Sequence, residues 1–235
     1  MVQGSKENLL VYIRHLDRYA DDGEGTGLFP RIPTPLRYVT PDFILSNFEE
    51  WIDNPEAKEF YVNISSYESE LAEVPHELLE ELRDRRELPC TWFFGKARYY
   101  FGRDENQINP KMKMMVLLCT MIVQLADLVP ETYDDVTGAL TEEMFDDLDE
   151  MGANMEALPY SIPKLIDVVK GLAAIGPQKV FLVFDGCNDL PEGDEDLWRQ
   201  LKALLVYLTE GREPQAEVSG RQWKILWIDD EILPS

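Results

Sequence analysis

The run Lys179-Val180-Phe181-Leu182-Val183-Phe184-Asp185-Gly186-Cys187-Asn188-Asp189 sets two carboxylates directly after an apolar stretch. A short unpatterned apolar run reads as a strand buried on both faces, and its acids fall where that strand leaves the sheet. Carboxylates at such a point can manage a divalent cation and an attacking water, which makes Asp185 and Asp189 the candidate site residues. A local role competes with this one. Asp and Asn after a strand commonly form turns and cap the next helix.

A phosphate site needs more than acids. It needs a glycine-rich turn whose amides face the phosphates, then Lys and Ser or Thr. The turn expected to carry it, after the first strand, reads Asn63-Ile64-Ser65-Ser66-Tyr67-Glu68-Ser69-Glu70-Leu71, with no glycine and no lysine. Glu68 and Glu70 would set negative charge where phosphates should lie. Like charges about 4 Å apart repel by about 4 kcal/mol at intermediate dielectric. Gly95-Lys96 follows Phe93-Phe94 and precedes Ala97, so it lacks both the first glycine and the hydroxyl.

Other chemistry is sparse. His15 and His76 have no neighbouring cysteines, which argues against zinc. Cys187 lies between Asp185 and Asp189, whose charge opposes a thiolate. No serine sits in a nucleophile-elbow pattern. The acid pairs lack the alternating ligand order of a calcium loop. No metal and no cofactor is expected.

The elements that would position these residues can be read from periodicity and breakers. Glu7 to Tyr19 predicts an amphipathic helix with Leu9, Leu10, Ile13 and Leu16 on one face. A Gly- and Asp-rich loop and Pro30, Pro33 and Pro35 follow, giving a segment 1–39 of helix plus proline-rich linker. Thr40-Pro41-Asp42 predicts a helix start that carries Phe43, Phe48, Trp51 and Ile52 inward. Glu59 to Ile64 predicts the first strand, Pro75 to Arg86 a helix, and Cys90 to Phe94 a second strand, with Arg98 to Phe101 extending or following it. Lys111 to Leu128 is the strongest helix. Helices are also predicted from Ser161 to about Ile175 and over Leu197 to Leu208, and a last strand over Trp223 to Ile228. Strands alternating with helices are the mark of a parallel sheet covered on both faces.

The order of these parts resembles the NACHT NTPases of the STAND class, the fungal members most closely. The resemblance runs over about 40–230. It rests on Phe48-Glu49-Glu50-Trp51-Ile52-Asp53-Asn54-Pro55 before the first strand, the aromatic Thr91-Trp92-Phe93-Phe94, the helix ending Met121-Ile122-Val123-Gln124-Leu125, and the segment 180–189. It implies a three-layer α/β domain of the P-loop NTPase type, over 40–235, with a mostly parallel sheet. It also implies that Asp185 and Asp189 are vestiges of the Walker B acids. Asp185 keeps the type that helps hold magnesium. Asn188 stands where the family has an acid and Asp189 where it has Glu, one methylene too short to place a water. The family's sensor Thr or Ser and Arg are replaced by Ile228-Asp229-Asp230-Glu231.

Composition narrows the partner. Lys+Arg total 22 against Asp+Glu 45, a formal charge of -23. That balance argues against nucleic acid and anionic membranes, both of which require cations on the protein. The acids concentrate in an insertion at about 130–160. There Phe145, Leu148 and Met151 recur at helical spacing among Asp146, Asp147 and other acids. The stretch either packs its apolar face on the domain or docks a basic partner, with those three anchoring and Asp146 and Asp147 steering. Three scattered cysteines and the polar start Met1 to Glu7 point to a reducing compartment, cytoplasmic or nuclear. The expected function is a catalytically inactive pseudo-NTPase acting through protein–protein interaction or as a regulatory subunit. The alternative is a nucleotide hydrolase or switch with an unconventional phosphate loop. A third reading makes the chain a fragment of a longer signalling protein.

Overall fold

The computed structural model describes residues 2–20, 40–63, 74–94, 110–135, 138, 140–146, 162–187, 194–210 and 222–229. Its centre is a four-stranded parallel sheet. The strands are β2 (Glu59–Asn63), β3 (Cys90–Phe94), β5 (Lys179–Asp185) and β6 (Gln222–Asp229), in spatial order β2-β6-β5-β3. A separate ribbon pairs β1 (Val2–Ser5) antiparallel with β4 (Thr132–Asp135). The helices are α1 (Lys6–Ile13), α2 (Asp42–Asp53), α3 (Val74–Glu80), α4 (Pro110–Leu128), α5 (Ile162–Ile175) and α6 (Glu195–Glu210). A 3₁₀ turn (Arg14–Tyr19) extends α1, a π-helical turn (Glu81–Arg85) extends α3, and a short helical stretch covers 142–146.

Strand alternation divides the core into two. Val180, Leu182, Phe184, Trp223, Ile225, Trp227 and Phe93 share one core with α4, α5, α6 and, packed on α4, α1. Phe181, Val183, Leu226, Ile228, Val62, Cys90 and Phe94 face α2 and α3. Helices therefore lie against both faces, as the uninterrupted apolar strands require. Right-handed crossovers account for the sides. The chain crosses the sheet from β2 to β3 over the α2–α3 face, then returns through β5 to β6 over the other.

On α2 the buried stripe is Ile44, Phe48, Trp51 and Ile52. Phe43 lies off that stripe and is 57% exposed, contrary to the inward placement expected of it. The helix of the first segment does not stand apart. Leu9, Ile13 and Leu16 are buried in the larger core, and the Lys6 ammonium donates to the Asp127 carbonyl at 2.6 Å. The ribbon had no signal in the sequence. Gly4 makes it possible, because a Cβ there would come within 2.5 Å of the Tyr133 ring.

Candidate functional site

In an open parallel sheet, ligands bind beyond the carboxyl ends of the strands, in the crevice where successive connections depart to opposite faces. Here the connection from β2 leaves over one face and those from β3 and β5 leave over the other. The strands end there on Asn63, Phe94, Asp185 and Asp229, with Asn63 opposite Asp229 and Asp185 opposite Ile228 in register. The sequence-predicted Asp185 is therefore at the edge where a ligand would sit, half-buried at the tip of a central strand.

The turn beyond it is built by backbone. Gly186 has φ +64°, a left-handed conformation that strains any side-chain-bearing residue. Its N–H donates to the Ile228 carbonyl at 3.1 Å, which ties the exit of β5 to β6. Cys187 is buried, with Sγ 3.9 Å from the Asp185 carbonyl. This geometry serves the turn-forming role of Asp185 as well as a ligand-facing one.

No cation is among the strand ends at this edge. The lysines of the sheet gather at its opposite, amino end: Lys58 precedes β2, Lys179 opens β5 and Lys224 is the third residue of β6. Lys224 is 1% exposed. Its ammonium donates to the carbonyls of Trp51, Ile52 (3.2 Å) and Asn54 (2.6 Å), and lies 5.4 Å from the Trp51 ring centroid. It thus closes the carboxyl end of α2, where unpaired carbonyls and the helix dipole favour a cation. Burial, then the nearby charges of Lys179 and Lys58, push its pKa down to about 8, with Asp53 opposing. Sequence reasoning passed over Lys224 as a member of the last strand. A single lysine inside an otherwise apolar strand was the available signal.

A second unanticipated device closes one side of the sheet. The Gln124 side chain accepts from the Trp92 N–H at 2.7 Å and donates to the Trp92 carbonyl at 3.2 Å. The carboxamide of α4 thereby occupies the outer edge of β3 as a further strand would.

The residues assigned to partner docking separate. Phe145 is 1% exposed and stacks on Tyr12 with centroids 6.0 Å apart, so it serves the core and offers no anchor to a partner. Thr141 caps the helical turn 142–146, its Oγ1 accepting from the Met144 N–H at 3.3 Å, and the Met144 side chain packs on the same core. Asp146 is exposed. Asp147, Leu148 and Met151 lie outside the described residues, as do Asn188, Asp189, Asp230, Glu231, the linker 21–39, the segment 64–73, and Gly95-Lys96 through Phe101. Among the described residues, no three His, Cys, Asp or Glu side chains gather to hold a metal ion, and no helix is long and apolar enough to cross a membrane.

Comparison with family models, curated proteins and solved structures returns no match for this chain.

Proposed function

We propose that this chain is a catalytically inactive, NACHT-like pseudo-NTPase that works by binding another protein, as an interaction or regulatory subunit. One observation carries the reading. The crevice at the carboxyl edge of the sheet is bordered by Asn63, Asp185 and the end of β6, and the sequence leaving β2 there brings Glu68 and Glu70 but no glycine or lysine. The parallel sheet with helices on both faces is compatible with a P-loop NTPase-like domain.

A magnesium–triphosphate does not fit this donor set. Phosphate recognition rests on backbone amides freed by glycine and on a lysine or arginine to balance charge. Here the lysines of the sheet are at the far end, and Lys224 is already engaged by three carbonyls. A carboxylate pair facing phosphate costs about 4 kcal/mol per contact at 4 Å and intermediate dielectric. That is enough to remove about three orders of magnitude of affinity.

Isothermal titration with ATP, ADP and GTP in the presence of magnesium tests the proposal. The expected result is no heat of binding up to millimolar nucleotide. Micromolar binding abolished by Asp185→Ala would reject it and establish the alternative, a nucleotide-binding switch. Asp185 at the tip of β5 is the one observation favouring that second reading.

A further inference from the structure

The two outer edges of the sheet are treated differently. At β3 the edge is closed: Gln124 takes both the N–H and the carbonyl of Trp92, and the Arg83 guanidinium lies over the Trp92 ring at 5.4 Å. At β2 the pattern is the reverse. The Ile225 N–H donates to the Lys58 carbonyl at 2.8 Å, which sets the phase of the parallel ladder. Residues 58, 60 and 62 therefore bond inward to β6, and Glu59 and Tyr61 direct their backbone N–H and C=O outward. Among the described residues, no strand pairs with that outer side.

The side chains agree. Glu59 and Tyr61 share the face of the sheet on which α4, α5 and α6 cover β5 and β6, yet Tyr61 is 56% exposed. Its ring stacks on Trp227 at 6.4 Å with 13° between planes, and its hydroxyl donates to the Glu59 carboxylate. The result is an exposed aromatic ring beside a row of backbone groups with which no described strand pairs. Natural sheets blunt or cover such an edge unless it is used.

We propose that the outer edge of β2 is a docking line for an extended, basic segment of a partner protein, which joins the sheet as a fifth strand. This rests on the interaction-module reading above and names how such a partner is held. Backbone groups of Glu59 and Tyr61 supply the ladder, the common source of affinity in strand addition. The exposed Tyr61 ring, backed by the buried Trp227, receives an alternate aliphatic side chain. Glu59, with exposed Glu56 just before β2, selects Lys or Arg at the flanking positions. A second copy of this chain is a poor occupant, because it brings the same acids and the same net charge of -23.

The test uses the full chain and two synthetic peptides of equal charge, acetyl-(Lys-Val)₄-amide and acetyl-(Lys-Pro)₄-amide. Proline cannot donate to a ladder, so the second peptide retains the charge and loses the pairing. Amide exchange resolved by residue should be fast at Glu59 and Tyr61 in the free protein. The Lys-Val peptide should slow both by tenfold or more, and the Lys-Pro peptide should not. Glu59→Lys should weaken Lys-Val binding by at least tenfold, and Tyr61→Pro, which removes an outward N–H, should abolish it. If Tyr61→Pro unfolds, Glu59→Lys alone decides the matter. Amides of Glu59 and Tyr61 already as protected as those of Phe60 and Val62, or equal binding of both peptides, would overturn the proposal. Failure here with no nucleotide binding leaves the inactive-module reading intact, whereas nucleotide binding sinks that reading and leaves the edge result to stand by itself.

Discussion

Replacing Lys224 by Met keeps the stem of the side chain and removes its charge, so it isolates what the ammonium does at the end of α2. Three carbonyls, of Trp51, Ile52 and Asn54, lose their donor. A hydrogen bond to a charged group contributes about 1.5–3 kcal/mol, and the helix dipole and the Trp51 ring add about 1 kcal/mol each. Against these stands the desolvation of a cation that is 1% exposed, which costs several kcal/mol. The balance predicts a loss of about 2–4 kcal/mol at pH 7, or about 5–15 °C in Tm for a chain of this size. The pH dependence follows from the fall in pKa from 10.5 to about 8. The unfolded lysine keeps its proton up to 10.5 and the folded one releases it near 8. Between those values the unfolded state binds more protons, so wild-type stability rises with pH through that window. The gain approaches about 3 kcal/mol at its top, because the neutral amine still donates its two N–H groups to carbonyls and no longer carries a buried charge. Urea melts of both proteins at pH 7, 8, 9 and 10 measure the difference, in which every other titration common to the two cancels. The gap should be constant below pH 8 and widen above it. A gap that narrows or stays flat refutes the assignment of burial as the dominant influence on Lys224. Equal stability at pH 7 refutes the capping role.

Gly4→Ala should cost about 1–3 kcal/mol by overpacking against the Tyr133 ring, and Gly4→Ala with Tyr133→Leu should recover most of it in a thermal melt. Gln124→Leu leaves the Trp92 N–H and carbonyl without the partner that closes the edge; it should cost about 1–3 kcal/mol and raise the light scattering of concentrated samples. Burial pushes Cys119 up to about 12 and Cys90 up to about 11. Neither thiol should therefore react with a disulfide reagent at pH 8 until urea unfolds the chain, and rapid labelling of Cys119 in the native protein would contradict its placement.

The opposed charge at the two ends of the sheet bears on function more than any single motif. Lysines at the amino end stabilise a helix terminus, and acids and Asn stand at the carboxyl end, where a ligand would approach. Phosphate recognition calls for freed backbone amides and a cation at the carboxyl end, and the described strand ends there carry no cation. The outer edge of β2 supplies a surface on which the interaction reading can be tested.

Period and composition alone determined the four strands of the parallel sheet and the helices that cover it. The apolar runs at 180–184 and 223–228, the helix ending near Ile175, and the long helix ending at Leu128 were legible because burial leaves a local, unbroken signature. The position of Asp185 at a strand tip was legible for the same reason. The tertiary structure decided everything that depends on which segments become neighbours. The β1–β4 ribbon joins polar residues about 130 positions apart, and nothing local marks either half. Phe145 reads as an anchor in the chain and is core in space, where it stacks on Tyr12 within the larger cluster. Gln124 as an edge clamp, Lys224 as a helix cap and Tyr61 as an exposed shelf each depend on a partner more than 30 residues away. Side-chain type limits what such a residue can do. Proximity, which a linear sequence does not carry, selects what it does.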